Sequence, residues 1–316
     1  MIDKLIGNTP IVKIKYRYKG KVRNIYSKLE YYNYTGSIKD RLAKYIIEES
    51  IKDGSLKDNM PIVEATSGNT GISFSALGAL YNHEVHIFMP EWASIERVNI
   101  MKLYGAKVYL ISAASGGFKK AIEEADKLAK KINGFRPNQF SNKKNIEVHY
   151  KETGREIVQN LDNIDAFVSG IGTGGTLIGI GKRIKERFPN SKVVALEPDK
   201  MPLLSTGKII DNHKIEGIGD DFIPDIVDKK IIDEIITINE LDAINMSRIL
   251  AKKLGLGVGI SSGANFIASA LTKGKDIVTI FPDDFKKYLS TDLTKEIDKD
   301  ERLISNQIEI LEIKKV

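Results

Sequence analysis

Short apolar runs of β-forming residues alternate with helix-length amphipathic segments along most of the chain, and this alternation limits the possible fold more than any other feature. Residues 61–65, 84–89, 106–111, 166–169, 192–197 and 276–281 read as buried strands. Between them, residues 118–132 place Phe118, Ile122, Ala125, Leu128, Ala129 and Ile132 on one helical face, with lysines and acids opposite. Strands separated by helices need crossover connections, so the expected class is α/β, with mostly parallel sheets. The runs form two βα sets, residues 40–147 and about 150–290, joined through the polar run 140–147. A chain of 316 residues with 42% hydrophobic content has material for two medium cores. The tail from residue 291 is charged, then alternates through Ile308, Ile310 and Ile313, as an appended strand or helix would.

Several function classes fall away on composition. The chain has no cysteine, which removes disulfides, thiolate metal ligands and thiol nucleophiles. His83 and His86 stand apart from other ligand types, so no metal is expected. No segment approaches the roughly 18 apolar residues of a membrane span. The first ten residues show no basic run followed by an apolar one, so a cytoplasmic location is expected. The net charge of +6 is spread along the chain, and the densest basic run, IKYRYKGKVR at 14–23, reads as an exposed hairpin-like turn. Nucleic acid is not an expected partner.

Ligands of open α/β sheets bind beyond the carboxyl ends of the strands, which directs attention to the small-residue loops. TSGNTG at 66–71 follows one strand and opens a helix carrying Phe74, Leu77 and Leu80. Hydroxyls and free backbone amides at a helix start suit a carboxylate, though an ordinary capped turn has the same residues. GIGTGGT at 170–176 follows the next set's first strand and satisfies G-x-G-x-x-G through Gly170, Gly172 and Gly175. Glu197 lies where a dinucleotide fold places its ribose-binding acid, so an NAD-dependent enzyme is a respectable local reading. A P-loop is not, because Thr176 and Arg183 stand where that motif requires Gly and Ser/Thr. What survives both readings is a phosphate held by glycine amides and a helix N-terminus. GISSG at 259–263 matches a serine-hydrolase elbow, but all four histidines precede Ser261, which breaks that fold's order of serine, acid, histidine.

Lys39, in NYTGSIKDR at 33–41, falls at the start of a helix behind a Gly36-Ser37 turn. A helix N-terminus disfavours a cation, which suggests an amine kept partly deprotonated and able to form a Schiff base. Taken alone, the stretch is more simply a solvated lysine at a helix start.

Lys39 with its loop, TSGNTG and GIGTGGT, in this order and spacing, resemble the cysteine synthase and cystathionine β-synthase family of fold type II pyridoxal-phosphate enzymes. IGNTP at 6–10, MPEWASIER at 89–97, NQF at 138–140, EGIGDDFIP at 216–224 and GISSG extend the likeness over roughly residues 5–290. The resemblance implies two doubly wound domains of tryptophan-synthase-β-like architecture. Residues 40–147 would be a smaller mobile domain, 1–39 with 148–292 a larger one holding the cofactor phosphate, and 293–316 an extension. Pyridoxal 5′-phosphate would be linked to Lys39, which would also move the substrate's Cα proton. Gly172, Thr173, Gly174, Gly175 and Thr176 would hold the phosphate, Asn69 the ring oxygen, and Ser261 would face the pyridine nitrogen. Thr66, Ser67, Gly68, Thr70 and Gln139 would bind the substrate α-carboxylate.

The implied reaction is β-elimination or β-replacement on L-cysteine, L-serine or O-acetyl-L-serine through an aminoacrylate. Sulfide, a thiol or water would be nucleophile or leaving group, and the enzyme a homodimer. A serine or threonine dehydratase is the alternative within the fold. The chain departs from the family pattern at Tyr34, where proline is usual, and at Leu254, where an acid is common. Asp220 and Asp221 occupy positions that are small in typical cysteine synthases, and the second carries an acid in the cystathionine β-synthase pattern. One of them is expected at the mouth of the site, favouring serine or cysteine over an acetylated substrate; capping of a turn before Pro224 is the competing role.

Overall fold

The computed structural model describes residues 4–295 and 302–316. The chain opens with a hairpin, β1 (Ile11–Tyr18) and β2 (Lys21–Leu29), and then enters α1 (Lys39–Lys52). A first βα set follows: β3 (Ile62–Ala65), α2 (Asn69–Leu80), β4 (Val85–Pro90), α3 (Ile95–Leu103), β5 (Lys107–Ile111) and α4 (Gly117–Ile132). A broken helix, α5 (Lys144–Val148) and α6 (Arg155–Asn160) with a π-helical turn His149–Gly154 between them, leads to the second set. That set comprises β6 (Ala166–Gly170), α7 (Gly175–Arg187), β7 (Lys192–Pro198), α8 (Leu203–Thr206), β8 (Glu234–Ile238), α9 (Glu240–Leu254), α10 (Ile260–Leu271) and β9 (Asp276–Phe281). The tail returns as β10 (Ile308–Lys315).

Two sheets result, a seven-stranded one in the order β10-β1-β2-β9-β6-β7-β8 and a three-stranded one in the order β3-β4-β5. All pairings are parallel except those of β1 with β2 and with β10. The α/β expectation holds and all six expected strands form, although β5, expected to be buried, is a largely exposed edge strand. The basic run at 14–23 is more than an exposed turn: Lys19 and Gly20, both with positive φ, close a tight hairpin whose strands belong to the large sheet. β8 escaped notice because it is a half-exposed edge strand without a clean apolar run.

Alternation along the strands builds a core on each face of the large sheet. Phe167, Val193, Ala195 and Val278 pack on one side with Leu177 and Ile184 of α7. Val168, Val194, Leu196 and Ile277 pack on the other with Ile244, Phe266 and Ile267 from α9 and α10. The three-stranded sheet is enclosed likewise, by Leu42, Phe74, Leu77 and Met101 on one face and Ala121, Ala125 and Ala129 of α4 on the other. Each large apolar side chain so covered contributes about 1.5–3 kcal/mol. These cores fix the strand ends from which the small-residue loops at 66–71 and 170–176 project.

Candidate active site

One cavity gathers most of the residues singled out above: Lys39, Thr66, Ser67, Gly68, Asn69 and Thr70 line it together with Gln139, Gly172, Thr173, Gly174, Thr176, Asp220 and Ser261. Gly175 and Asp221 do not line it. Gly175 begins α7 behind the loop, packed on Asn145, and Asp221 sits at the surface 3.5 Å from Lys119.

Lys39 is the first residue of α1. The turn before it has Gly36 at φ +80° and is pinned from the other end of the chain. Ile38 N–H donates to Pro282 O at 2.8 Å, and the buried Lys287 ammonium donates to Gly36 O at 2.7 Å. Burial pushes the Lys39 amine down to about 8, against the opposing pull of Asp220 and Asp283. The sequence reading looked to the helix end for this effect; desolvation is the main cause. Asp220 moves the other way: burial and the neighbouring Asp221 raise it to about 6, although Lys39 favours its charged form.

The 66–71 loop leaves β3 and starts α2, whose first turn has no side-chain cap. Its open N–H groups and the Thr66, Ser67 and Thr70 hydroxyls surround a seat for an anion. Gln139 joins this loop directly, accepting from Thr70 Oγ1 at 2.7 Å and donating to Ala65 O at 2.9 Å. The 170–176 loop makes a second uncapped start, that of α7, after Gly174 at φ +88°. A β-carbon on Gly172 would overlap the Gly217 carbonyl oxygen, so only glycine lets the two backbones meet. Thr173 Oγ1 accepts from Asn145 Nδ2 at 2.9 Å, and Thr176 Oγ1 lies 3.3 Å from His149 Nε2. Burial, with Lys39 and Arg41 nearby, drives His149 well below its ordinary range, so the imidazole touching this loop is neutral.

The NAD reading fails on Glu197. Its carboxylate is taken by the turn that follows β7, accepting from the backbone N–H of Leu204 at 2.7 Å and of Ser205 at 3.1 Å and from the Ser205 hydroxyl. Glu197 is therefore not free to hold a ribose.

Three residues that sequence reasoning left without a role also meet the cavity or its wall. Arg97, at the end of the MPEWASIER motif, is buried, pairs with Glu216, donates to Ser94 Oγ at 3.1 Å and lies over the Tyr288 ring at 4.4 Å. Glu216, raised by burial despite that partner, starts the EGIGDDFIP segment. Asp283, directly beyond β9, is fully buried. The carboxyl end of β9 was the available signal for Asp283, and the quoted motifs were the signal for the other two.

The residues present fit pyridoxal phosphate. A depressed lysine amine, a glycine cradle at a helix start and an uncapped hydroxyl loop face one space. Arg97, which lines that space, has its Nε buried without a partner, as the wall of a ligand site does.

The pyridoxal-phosphate dependent enzyme family matches residues 2–283. A cysteine synthase of Staphylococcus aureus is 42% identical over 299 residues, covering 92% of this chain and 96% of that one. A hydrogen sulfide-producing enzyme from Fusobacterium nucleatum, solved as a crystal structure, shares 49% identity at a TM-score of 0.95, covering 100% of this chain and 98% of that one. The same enzyme's aspartate-to-asparagine mutant, crystallised with an α-aminoacrylate intermediate, superimposes at a TM-score of 0.96 with 48% identity, covering the same 100% and 98%. Similarity over nearly the entire length, with the lysine, glycine and hydroxyl loops meeting in one cavity, means that the chain belongs to the pyridoxal-phosphate dependent enzymes.

Proposed function

We propose that the protein performs β-elimination and β-replacement on cysteine, serine or O-acetylserine, with sulfide as leaving group or nucleophile, and that cysteine breakdown to sulfide is within its repertoire. Asp220 carries the second half of this reading. A carboxyl held near 6 in the cavity of Lys39 can keep or give up a proton near neutrality, where a sulfur or hydroxyl leaves or arrives. The aspartate-to-asparagine mutant of the Fusobacterium enzyme, holding an α-aminoacrylate intermediate, gives an acid of that relative a place in the same chemistry.

When bound, pyridoxal phosphate supplies an aldehyde that condenses with amines and a ring that draws electrons from the substrate's Cα. Gly172, Thr173, Gly174, Gly175 and Thr176 hold the phosphate on backbone N–H groups and hydroxyls. Asn69 meets the ring oxygen. Ser261 would offer the pyridine nitrogen a neutral hydroxyl, which does not favour a protonated ring and so would disfavour transamination and racemisation relative to loss of a β-substituent. Thr66, Ser67, Gly68, Thr70 and Gln139 receive the α-carboxylate and draw the 40–147 unit over it. Lys39, its amine lowered by burial, takes and returns the Cα proton. Asp220 and Asp221 tend the proton of the leaving group or of an incoming water. Family resemblance extends the reading to a homodimer in the cytoplasm. No described helix is long and apolar enough to cross a membrane.

The test is direct. Purified holoenzyme given cysteine should release sulfide, and given cysteine with a second thiol should form a thioether; Lys39→Ala should do neither and should lose the cofactor's visible absorbance. Absence of sulfide chemistry alongside brisk deamination of threonine would make the protein a dehydratase instead.

A further inference from the structure

Asp283 is a buried carboxylate to which the mechanism above gives no task. It follows β9, and its side chain is fully enclosed. Oδ2 accepts two hydrogen bonds, from Asn69 Nδ2 at 2.7 Å and from the Tyr288 hydroxyl at 2.6 Å, while Oδ1 has no partner. The Asn69 bond joins residues 214 positions apart. It runs from the first residue of α2, beside the three-stranded sheet, to the end of a central strand of the seven-stranded sheet.

An asparagine amide has two nearly isosteric ends, and its neighbours decide which faces where. An ionised carboxylate can only accept. By accepting from Nδ2, Asp283 holds the NH₂ end of Asn69 toward itself, and Oδ1 is left unpaired. The amide nitrogen has a second hydrogen to give. Asp283 is itself held in place. Tyr288 is clamped beneath the Arg97 guanidinium, Asn69 and Tyr288 share one carboxylate oxygen, and Oδ1 fills the space that a β-carbon on Gly259 would need. The groups that face this side chain are of both signs: Lys39 and Arg97 on one hand, Glu216 and Asp284 on the other.

We propose that Asp283 is the positioning residue for Asn69, fixing its amide so that nitrogen rather than oxygen is presented to the anionic ring oxygen of the cofactor. Without that constraint the amide turns freely, and half of its orientations set oxygen against oxygen. The inference rests on the proposed contact between Asn69 and the cofactor, and the variants below separate the two.

Cofactor-free protein would be titrated with pyridoxal 5′-phosphate for wild type, Asn69→Ala, Asp283→Ala and the double variant, with unfolding midpoints of the cofactor-free proteins alongside. Asp283→Ala should weaken cofactor binding about twofold or more, because at most half of the amide orientations then donate to the cofactor. The double variant should bind no more weakly than Asn69→Ala alone. Tyr288→Phe, which keeps the ring under Arg97, should give a smaller loss, and Asp283→Asn, which offers Asn69 an amide oxygen in one of its two orientations, should recover part of the affinity. If Asp283→Ala does not fold, Asp283→Asn in the wild-type and Asn69→Ala backgrounds supplies the same comparison. Additive losses in the double variant, or wild-type affinity in the Asp283 variants, would overturn the positioning role. Unchanged affinity in Asn69→Ala would overturn the Asn69 contact itself.

Discussion

The carbonyl oxygen of Gly217 fills the space that a β-carbon on Gly172 would need. The glycine of the proposed phosphate loop is thus required by a backbone atom from the EGIGDDFIP segment, and backbone yields less readily than a side chain. Gly172→Ala should push the two loops apart at a cost of about 1–3 kcal/mol, as over-packing typically does. Most of that cost should appear as weakened cofactor binding, measured by titrating the cofactor-free protein.

Arg97 and Glu216 form a buried ion pair between α3 and the same segment. Truncating Arg97 leaves Glu216 enclosed with its charge uncompensated, so Arg97→Ala should destabilise the protein by about 3–5 kcal/mol in chemical unfolding. Its side chain also occupies the space beside Gly68, where an added β-carbon would overlap Cδ. Gly68→Ala should therefore damage the wild-type protein more than it damages Arg97→Ala, a coupling that a double-mutant cycle reads out.

The layered α/β plan was legible because burial imposes a period on each strand and helix, and the 118–132 pattern became α4 almost to the residue. The loops were legible because small residues after a strand have few other uses. Arg97, Glu216 and Asp283 were not, since each acquires its meaning from a partner far away in the chain: 119 positions separate Arg97 from Glu216. Glu197 shows the converse. Its position suggested a ribose acid, but position along a strand does not reveal that the next turn consumes the carboxylate.

Lys39 offers a pH test with a definite sign. Burial lowers its amine to about 8 and Asp220 opposes the shift, so in cofactor-free protein its reaction with a small aldehyde should rise with pH around a midpoint near 8. Removing the opposing charge in Asp220→Asn should move that midpoint lower still. An unchanged midpoint would mean that Asp220 does not act on the amine.

Two residues beyond Lys39, Arg41 anchors α1 to the hairpin and to α6. Its guanidinium meets Glu30 at 2.7 Å and Glu156 at 2.6 Å, and Lys28 meets Glu156 at 2.7 Å, all of them buried. Burial alone would raise Glu30, but Arg41, with Lys28 and Thr9, lowers it from 4.5 to about 2. A depressed carboxylate stabilises the fold above its unfolded pKa, and that contribution is lost as pH falls from about 4.5 to about 2. Glu30→Gln should be less stable than wild type at neutral pH, and its stability should fall less steeply across that acid window in urea titrations.

Asp220 and Asp221 are expected to divide their labour unequally. Asp220 lines the cavity and is raised to about 6 by burial first and by the charge of Asp221 second, with Lys39 pulling it back. Asp221 lies toward the surface near Lys119. If the Asp220 carboxyl governs the acid limb of sulfide release from cysteine, Asp220→Asn should erase that limb and lower the rate. Asp221→Asn should keep the limb but move it below 6, because the charge that raised Asp220 is gone while its burial remains. A rate profile indifferent to both substitutions would remove the pair from the chemistry and leave them as the cap of the turn before Pro224. A limb that vanishes only in Asp221→Asn would transfer the role to the outer carboxylate, whose Oδ1 is enclosed without a partner despite the exposure of the rest of the side chain.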